Sequence, residues 1–374
     1  MRPITRAGKV AAAAITALAL AGGAAPAFAN SAPGAVFVQS DNLTGNTIVA
    51  YQRAANGTLS QQGVYPTGGL GGALTGSVVD HLASQGSLAY DAQNQLLYAV
   101  NAGSGTVSVF AVSGVHLTLT QVIRSDGKFP ASIAVHNGLV YVLSSEEGGR
   151  LQGYEVLAGH LVAIPGSGRA LNLTTSTEPV FVHTPGQVAF SPNGSQLIVT
   201  TKASGSAVDV FSVAPSGLLS ATPVVNPEPE TVPFAVTFDR DGRLLLAEAG
   251  GFLASFNLET NGTLVQLDQA ASNQAATCWL VLVRNHIFTS NAGSGSLTTF
   301  QSSNGGTLLS SLGNTATDPG TVDGAASPDG RFIYVQTGLK GIVDEFAVSQ
   351  SGALTAIGTV EVPGAVGGEG IVAG

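Results

Sequence analysis

The chain has 374 residues, with 14 basic against 23 acidic side chains, a formal net charge of −9 and only 10% charged residues. So acidic a chain disfavours nucleic acid and anionic lipid as partners, since both need clustered Lys and Arg. Its single cysteine, Cys278, excludes an internal disulfide, and its 49 glycines with few charges suit short turn-linked strands better than helices with solvated faces.

The first residues read as an address. Arg2, Arg6 and Lys9 precede an apolar run from Val10 to Leu20, and Ala27-Phe28-Ala29 follows with a small-x-small pattern. This is the layout of a secretory signal cleaved after Ala29. Residues 1–29 are therefore expected to be removed, leaving residues 30–374 as one secreted domain. Cleavage takes three basic residues and no acid, leaving 11 basic against 23 acidic. No later run has the roughly 20 apolar residues of a spanning helix, so no membrane insertion is expected after cleavage.

From Ala35 onward the chain repeats itself. Apolar runs such as "AVFVQ", "LLYAV", "LVYVL", "QLIVT", "RLLLA", "HIFTS" and "RFIYV" recur, each followed by a small-residue turn. A further strand then ends on an aromatic: Tyr51, Phe110, Tyr154, Phe211, Phe256, Phe300 and Phe346. A short strand comes before each pair, entered through Asn-Gly or Asp-Gly turns, and a fourth strand such as "TNGTLVQLD" follows. Four-stranded units repeated in this way predict blades of a propeller. Inner strands are expected near Ser87, Ser132, Gln187, Ala235, Trp279 and Gly324. The first unit lacks an inner strand, and the closing "GEGIVAG" resembles one. The expected fold is thus all-β, a seven-bladed β-propeller closed by N- and C-terminal strands sharing one blade.

The ten residues from Asn101, "NAGSGTVSVF", nearly recur from Asn291 as "NAGSGSLTTF". A dinucleotide loop needs G-x-G-x-x-G followed by a helix, whereas a strand follows here and the third glycine is missing. The pentapeptide is therefore a turn between second and third strands. No zinc-binding spacing of histidines and no D-x-D-x-D-G loop appears, so no metal site and no cofactor are expected.

The repeat text, notably "GSLAYDAQNQLLYAVNAGSGTVSVFAV", "QVAFSPNGSQLIVTTKASGSAVDVFSV" and "ASPDGRFIYV", resembles the lactonase-type seven-bladed propeller family of 6-phosphogluconolactonases and carboxymuconate-lactonizing enzymes. The resemblance spans nearly the whole mature chain. It implies a lactone substrate, with Pro-Arg-His entering one inner strand and Asn-Glu closing the next strand. This chain has Pro185-Gly186-Gln187 at the first place and Thr201-Lys202 at the second, so the family's Arg, His and Glu are replaced by Gly186, Gln187 and Lys202.

Propeller turns converge at one end of the central channel. Counting nine residues back from each third-strand aromatic gives Asn42, Asn101, Ser145, Lys202, Ala247, Asn291 and Thr337 as the expected ring. Lys202 and the adjacent-blade Glu248 are candidates for an anion-binding cation and a base facing each other, the alternative being a plain ion pair. His183 is a third catalytic candidate, in what reads as the longest inter-blade excursion. Asn101, Asn291, Gln187 and Asp323 are candidate ligand-binding residues, Asp323 alternatively capping a turn, and Cys278 is expected to pack in the core. Two functions stay open. One is a secreted enzyme hydrolysing or forming a small lactone. The other is a non-catalytic propeller that binds a small molecule at the channel mouth or an extracellular protein.

Overall fold

The computed structural model describes residues 34–374, so the leader-like residues 1–29 lie outside it. Seven sheets, each of four antiparallel strands, follow one another along the chain. Blade 1 takes Gly34–Gln39, Thr47–Arg53 and Leu59–Pro66 from the N-terminal end, with Ile371–Ala373 as its innermost strand. Val36, Phe37 and Val38 pair with Ala373, Val372 and Ile371, so the ends of the chain close the wheel. The innermost strands of blades 2 to 7 are Leu88–Asp91, Pro130–His136, Gln187–Phe190, Pro233–Phe238, Thr277–Val283 and Thr321–Ala326. Each touches the next around the axis, and that of blade 7 touches Ile371–Ala373. In blade 3 the outer strand is split into His160–Ala163 and Arg169–Ala170. Among the described residues two single-turn helices, Val180–His183 and Lys202–Gly205, interrupt the β structure.

Local chemistry explains the pattern. The hairpin at Asn137-Gly138 has positive φ at both positions (47° and 79°), which the tight two-residue turn demands and which Asn and Gly supply at least cost. Seven apolar clusters fill the seven interfaces between neighbouring blades. The third-strand aromatics anchor them; all seven are buried. In blades 1, 2, 5, 6 and 7 the outer pairing slips by one residue just before that aromatic. Such a bulge sharpens the twist that a propeller blade requires.

Residues 67–87, which connect blades 1 and 2, are a longer excursion than residues 171–186, which contain His183. The expectation that the latter is the longest is corrected here. The segment does not stay on the surface. Leu82, Ala83, Ser84 and Ser87 are buried, and the segment bonds to inner strands across the wheel. Ser84 Oγ donates to the Ala131 carbonyl of blade 3 (2.9 Å), and Gln85 N donates to Gly186 O beside blade 4 (3.1 Å). Trp279 Nε1 of blade 6 donates to Ser84 O (2.6 Å), and Gly86 N donates to Glu369 Oε1 beside the C-terminal strand (3.0 Å). The segment is a plug in the axial channel, and its backbone polar groups are satisfied by inner strands (Ser84 O, Gly86 O), by neighbouring turns (Gln85 N) and by the Asp80 and Lys202 side chains.

Candidate functional site

The second-to-third-strand turns, the plug and the excursion around His183 all lie at one end of the wheel. Pairing register fixes which turn residues are equivalent. The third-strand aromatics face Val36, Leu97, Val140, Leu197, Leu244, Ile287 and Ile333. Four positions further along lie Ser40, Asn101, Ser144, Thr201, Glu248, Asn291 and Thr337. The counted ring is therefore corrected in four blades: Ser40 replaces Asn42, Ser144 replaces Ser145, Thr201 replaces Lys202 and Glu248 replaces Ala247. All seven residues are buried.

The two repeated asparagines occupy this position and turn inward. Asn101 Oδ1 accepts from Thr67 Oγ1 (2.6 Å) and Asn46 Nδ2 (3.2 Å), while its Nδ2 donates to Thr106 Oγ1 and Ser108 Oγ. Asn291 does the same with Thr277 Oγ1 (2.7 Å), Ser296 Oγ and Thr298 Oγ1. Thr201 Oγ1 likewise bonds both backbone groups of Ala207. These side chains fasten each turn to its own third strand, Asn101 also reaching Asn46 and Thr67 on the blade 1 side, and their bonding capacity is spent inside the protein.

Lys202 begins the one-turn helix after this position, at φ 48°, and is buried. Its ammonium points into the plug. Nζ donates to Ala83 O (2.6 Å), Phe181 O (2.6 Å) and Thr184 Oγ1 (3.0 Å), and lies 5.3 Å from the centre of the Phe234 ring. Burial pushes its pKa down to about 7, while the Asp80 carboxylate pulls it back up. Glu248 turns elsewhere: its Oε2 accepts from Gln269 Nε2 (2.7 Å), and burial raises its carboxyl above the ordinary range. No ion pair joins Lys202 and Glu248 among the described residues. Gln187 Oε1 accepts from Val236 N (2.7 Å) and so ties blade 4 to blade 5. His183 ends the helix Val180–His183, half-buried, and its ring bonds to no described residue. At Gly186, an added Cβ would meet Phe234 O at 2.7 Å and Thr200 Oγ1 at 2.8 Å, so an arginine there has no unobstructed exit.

Asp323 is a strut of the closure. Its Oδ1 accepts from Gly324 N (2.8 Å) and its Oδ2 from Ile371 N (3.4 Å). It belongs to a buried acidic neighbourhood with Asp41, Asp80 and Glu369, which individual residues of the sequence did not reveal. Desolvation raises Asp41 to about 8, Asp323 to about 7 and Asp80 to about 6, and Glu369 is raised too, by burial and then by its acidic neighbours. Asp80 caps the plug by accepting from Leu82 N (2.7 Å) and Ser84 N (2.9 Å). No group of three or more His, Cys, Asp or Glu side chains is arranged to hold a metal ion among the described residues.

Two kinds of cavity open on this face. Above blades 2 and 3 lies a groove of 940 Å³, walled by the Ala102–Gly105 turn of the first NAGSG copy and by Arg124, Asp126, Lys128, Glu147 and Arg150. Lys128 pairs with Glu146 (2.9 Å) and Arg150 with Asp126 (2.9 Å). Arg124 and Glu147 are exposed, and neither has an ion pair among the described residues. The second cavity, 230 Å³ and apolar, lies beside the plug next to Ala292 and Gly293 of the second copy. Cys278 lines it, its thiol pushed up to about 12 by burial and therefore unreactive as a thiolate.

No family model and no curated protein matches this sequence. Solved structures do. A periplasmic gluconolactonase from Pseudomonas aeruginosa superposes with TM-score 0.72 at 20% identity, over 91% of this chain and 98% of that one. A proposed 6-phosphogluconolactonase from Bacteroides fragilis gives 0.70 at 16% identity, over 91% and 97%. Its counterpart from Bacteroides uniformis gives 0.71 at 17%, over 89% and 98%. At such identities the likeness establishes architecture and leaves activity to the site itself. The chain has the seven-bladed propeller fold of the 6-phosphogluconolactonase-like proteins.

Proposed function

We propose that this chain is a secreted propeller of lactonase type that takes a small polyhydroxylated lactone in the groove above blades 2 and 3. The observation that carries this reading is the plug. It occupies the axial channel and commits Lys202 to backbone carbonyls, while the same face offers a 940 Å³ groove with charges of both signs. Glycine-walled surfaces with fixed cations and carboxylates suit a ligand rich in hydroxyls and carrying a carbonyl. The lactonases among the structural neighbours support the substrate class. Export rests on residues 1–29, outside the described residues.

In this reading the exposed Arg124 guanidinium holds the charge that develops on the ring carbonyl oxygen, and Glu147 takes a proton from the attacking water. The water oxygen bonds to the carbonyl carbon, the ring C–O bond breaks, and the ring oxygen takes the proton held by Glu147 and leaves as a hydroxyl. The product is the open hydroxy acid, and no redox step is involved. The test is proton release from glucono-δ-lactone and related sugar lactones. Arg124→Ala and Glu147→Gln are each expected to lower turnover by roughly 100-fold. Turnover on no lactone, or turnover indifferent to both substitutions, overturns the enzyme reading. Non-catalytic ligand binding is the alternative outcome of the same test; calorimetric binding of a lactone without proton release would establish it.

A further inference from the structure

The 230 Å³ cavity beside the plug shares no lining residue with the groove. Its floor is made of Phe234, Cys278 and Trp279, all buried, and its rim of the half-buried Phe181 and of Val78, which is 69% exposed. Phe234 and Trp279 meet edge to face, with ring centres 4.8 Å apart. The cavity thus combines a rigid aromatic floor with an apolar side chain held out in water at its entrance. Large apolar groups left exposed around a concave apolar surface mark a binding site more often than a packing fault.

We infer that this cavity is a second ligand site, for a one-ring aromatic molecule with a short amine-bearing side chain. Size, shape and charge each contribute to that assignment. A cavity of about 150 Å³ takes benzene; in proportion, 230 Å³ takes a ring with two or three further heavy atoms. The edge-to-face pair offers a ring face and a ring edge for a third aromatic to pack against. Asp80 is the charged residue of the lining, and the carboxyls of Asp41, Asp323 and Glu369 adjoin it. The cation beside it, Lys202, already spends its donors on Ala83, Phe181 and Thr184. A carboxylate ligand therefore finds no uncommitted donor on Lys202, whereas an ammonium finds at the lining the Asp80 carboxyl, whose oxygens each hold one plug N–H and keep a lone pair.

The molecule carries its own probe, because Trp279 is its single tryptophan. The full chain is titrated with 2-phenylethylamine, 2-phenylethanol and phenylacetate while Trp279 fluorescence is followed. The amine is expected to give a saturable change and to bind at least about tenfold more tightly than phenylacetate, with the alcohol between them. Ala292→Leu, which fills the lining, is expected to abolish the change without moving the thermal midpoint. Should that variant fail to fold, Phe181→Ala at the rim serves instead and is expected to weaken the amine roughly fivefold. The inference is overturned if none of the three compounds gives a saturable change, if the folded filling variant responds as the parent does, or if phenylacetate binds as tightly as the amine. Lactone turnover has no part in this readout, so the groove and the cavity stand or fall separately.

Discussion

Replacing Lys202 by methionine separates a brace from a ligand-holding residue. Methionine keeps the length of the side chain and its contact with Phe234 while removing the charge and all three donors. Ala83 O loses its donor, and Phe181 O retains only a long bond from Thr184 Oγ1 (3.3 Å). A buried acceptor stripped of its partner costs about 1–3 kcal/mol, more where the donor was charged. One stripped carbonyl and one left with only a long bond give roughly 3–4 kcal/mol, to which the loss of positive charge beside Asp80 adds. Against this, the variant no longer desolvates an ammonium, and apolar replacement of buried charges returns about 1–4 kcal/mol in favourable cases. The net expectation is a loss of about 2 kcal/mol. Urea unfolding measures it, and hydrogen exchange of residues 78–87 locates it. A residue kept for ligand binding behaves in the opposite way, since removing it relieves strain and leaves stability unchanged or higher. An unchanged midpoint together with unchanged exchange in the plug would refute the bracing role.

Two further outcomes follow from the closure and the acidic neighbourhood. Asp41, Asp80 and Asp323, with an ordinary pKa of 3.8, are raised to about 8, 6 and 7 by burial, and Glu369 is raised as well. The folded state therefore holds protons that the unfolded state releases, so their contribution is complete below pH 3.8 and is lost as pH rises through the folded values. Lys202 acts in the other direction, its depressed pKa of about 7 withdrawing stability as pH falls through that value. Between pH 4 and 6 the carboxyls dominate, and the thermal midpoint is expected to fall as pH rises; a midpoint that climbs over this range contradicts the assignment. Deleting residues 371–374 removes the strand that covers Val36, Phe37 and Val38. It is expected to leave an open sheet edge and to drive self-association, read by light scattering, whereas a monomeric, fully stable truncation would show that closure is dispensable.

Much of this architecture is written in repeated residues. The seven aromatics, the Asn-Gly and Asp-Gly turns and the terminal strand each answer to local rules, and the inner strands start close to where those rules place them. The site is legible only in part, for two physical reasons. Counting along the chain assumes turns of equal length, and the turns are unequal. The helix Lys202–Gly205 lengthens one, so Thr201 and not Lys202 occupies the common position; blade 5 turns tightly after Glu248, with Gly251 N bonded to Glu248 O (2.9 Å). The plug has no periodicity at all. Residues 67–87 read as an ordinary glycine-rich connection, and many of their backbone partners, such as Lys202, Gly186, Trp279 and Glu369, come from distant parts of the chain that only the closed wheel brings together. Asp80 and Glu369 are silent in sequence for the same reason: each is an isolated acid whose burial is decided by the closure of the wheel.

The repeated NAGSG turns show how such a fold divides its labour. In both copies the asparagine points inward and its amide donates to equivalent hydroxyls, Thr106 and Ser108 in blade 2 and Ser296 and Thr298 in blade 6, while its oxygen accepts from Thr67 and Asn46 on the blade 1 side in the first copy and from Thr277 in the second. The donor half of that duty depends only on the third strand of the same blade, so both copies keep the same residue. The small residues after it border whatever the other blades and the plug place opposite. Ala102 to Gly105 meet the charges of Arg124, Lys128 and Glu147, while Ala292 and Gly293 meet Trp279 and Val78. One turn thus borders a polar groove and its copy an apolar cavity, without any difference in their first five residues. The repeat carries structure, and chemical difference enters through what stands across from it. For that reason the substitutions that test function in this chain lie at Arg124, Glu147 and Ala292, whereas substitutions at Asn101 and Asn291 would report on the stability of the blades.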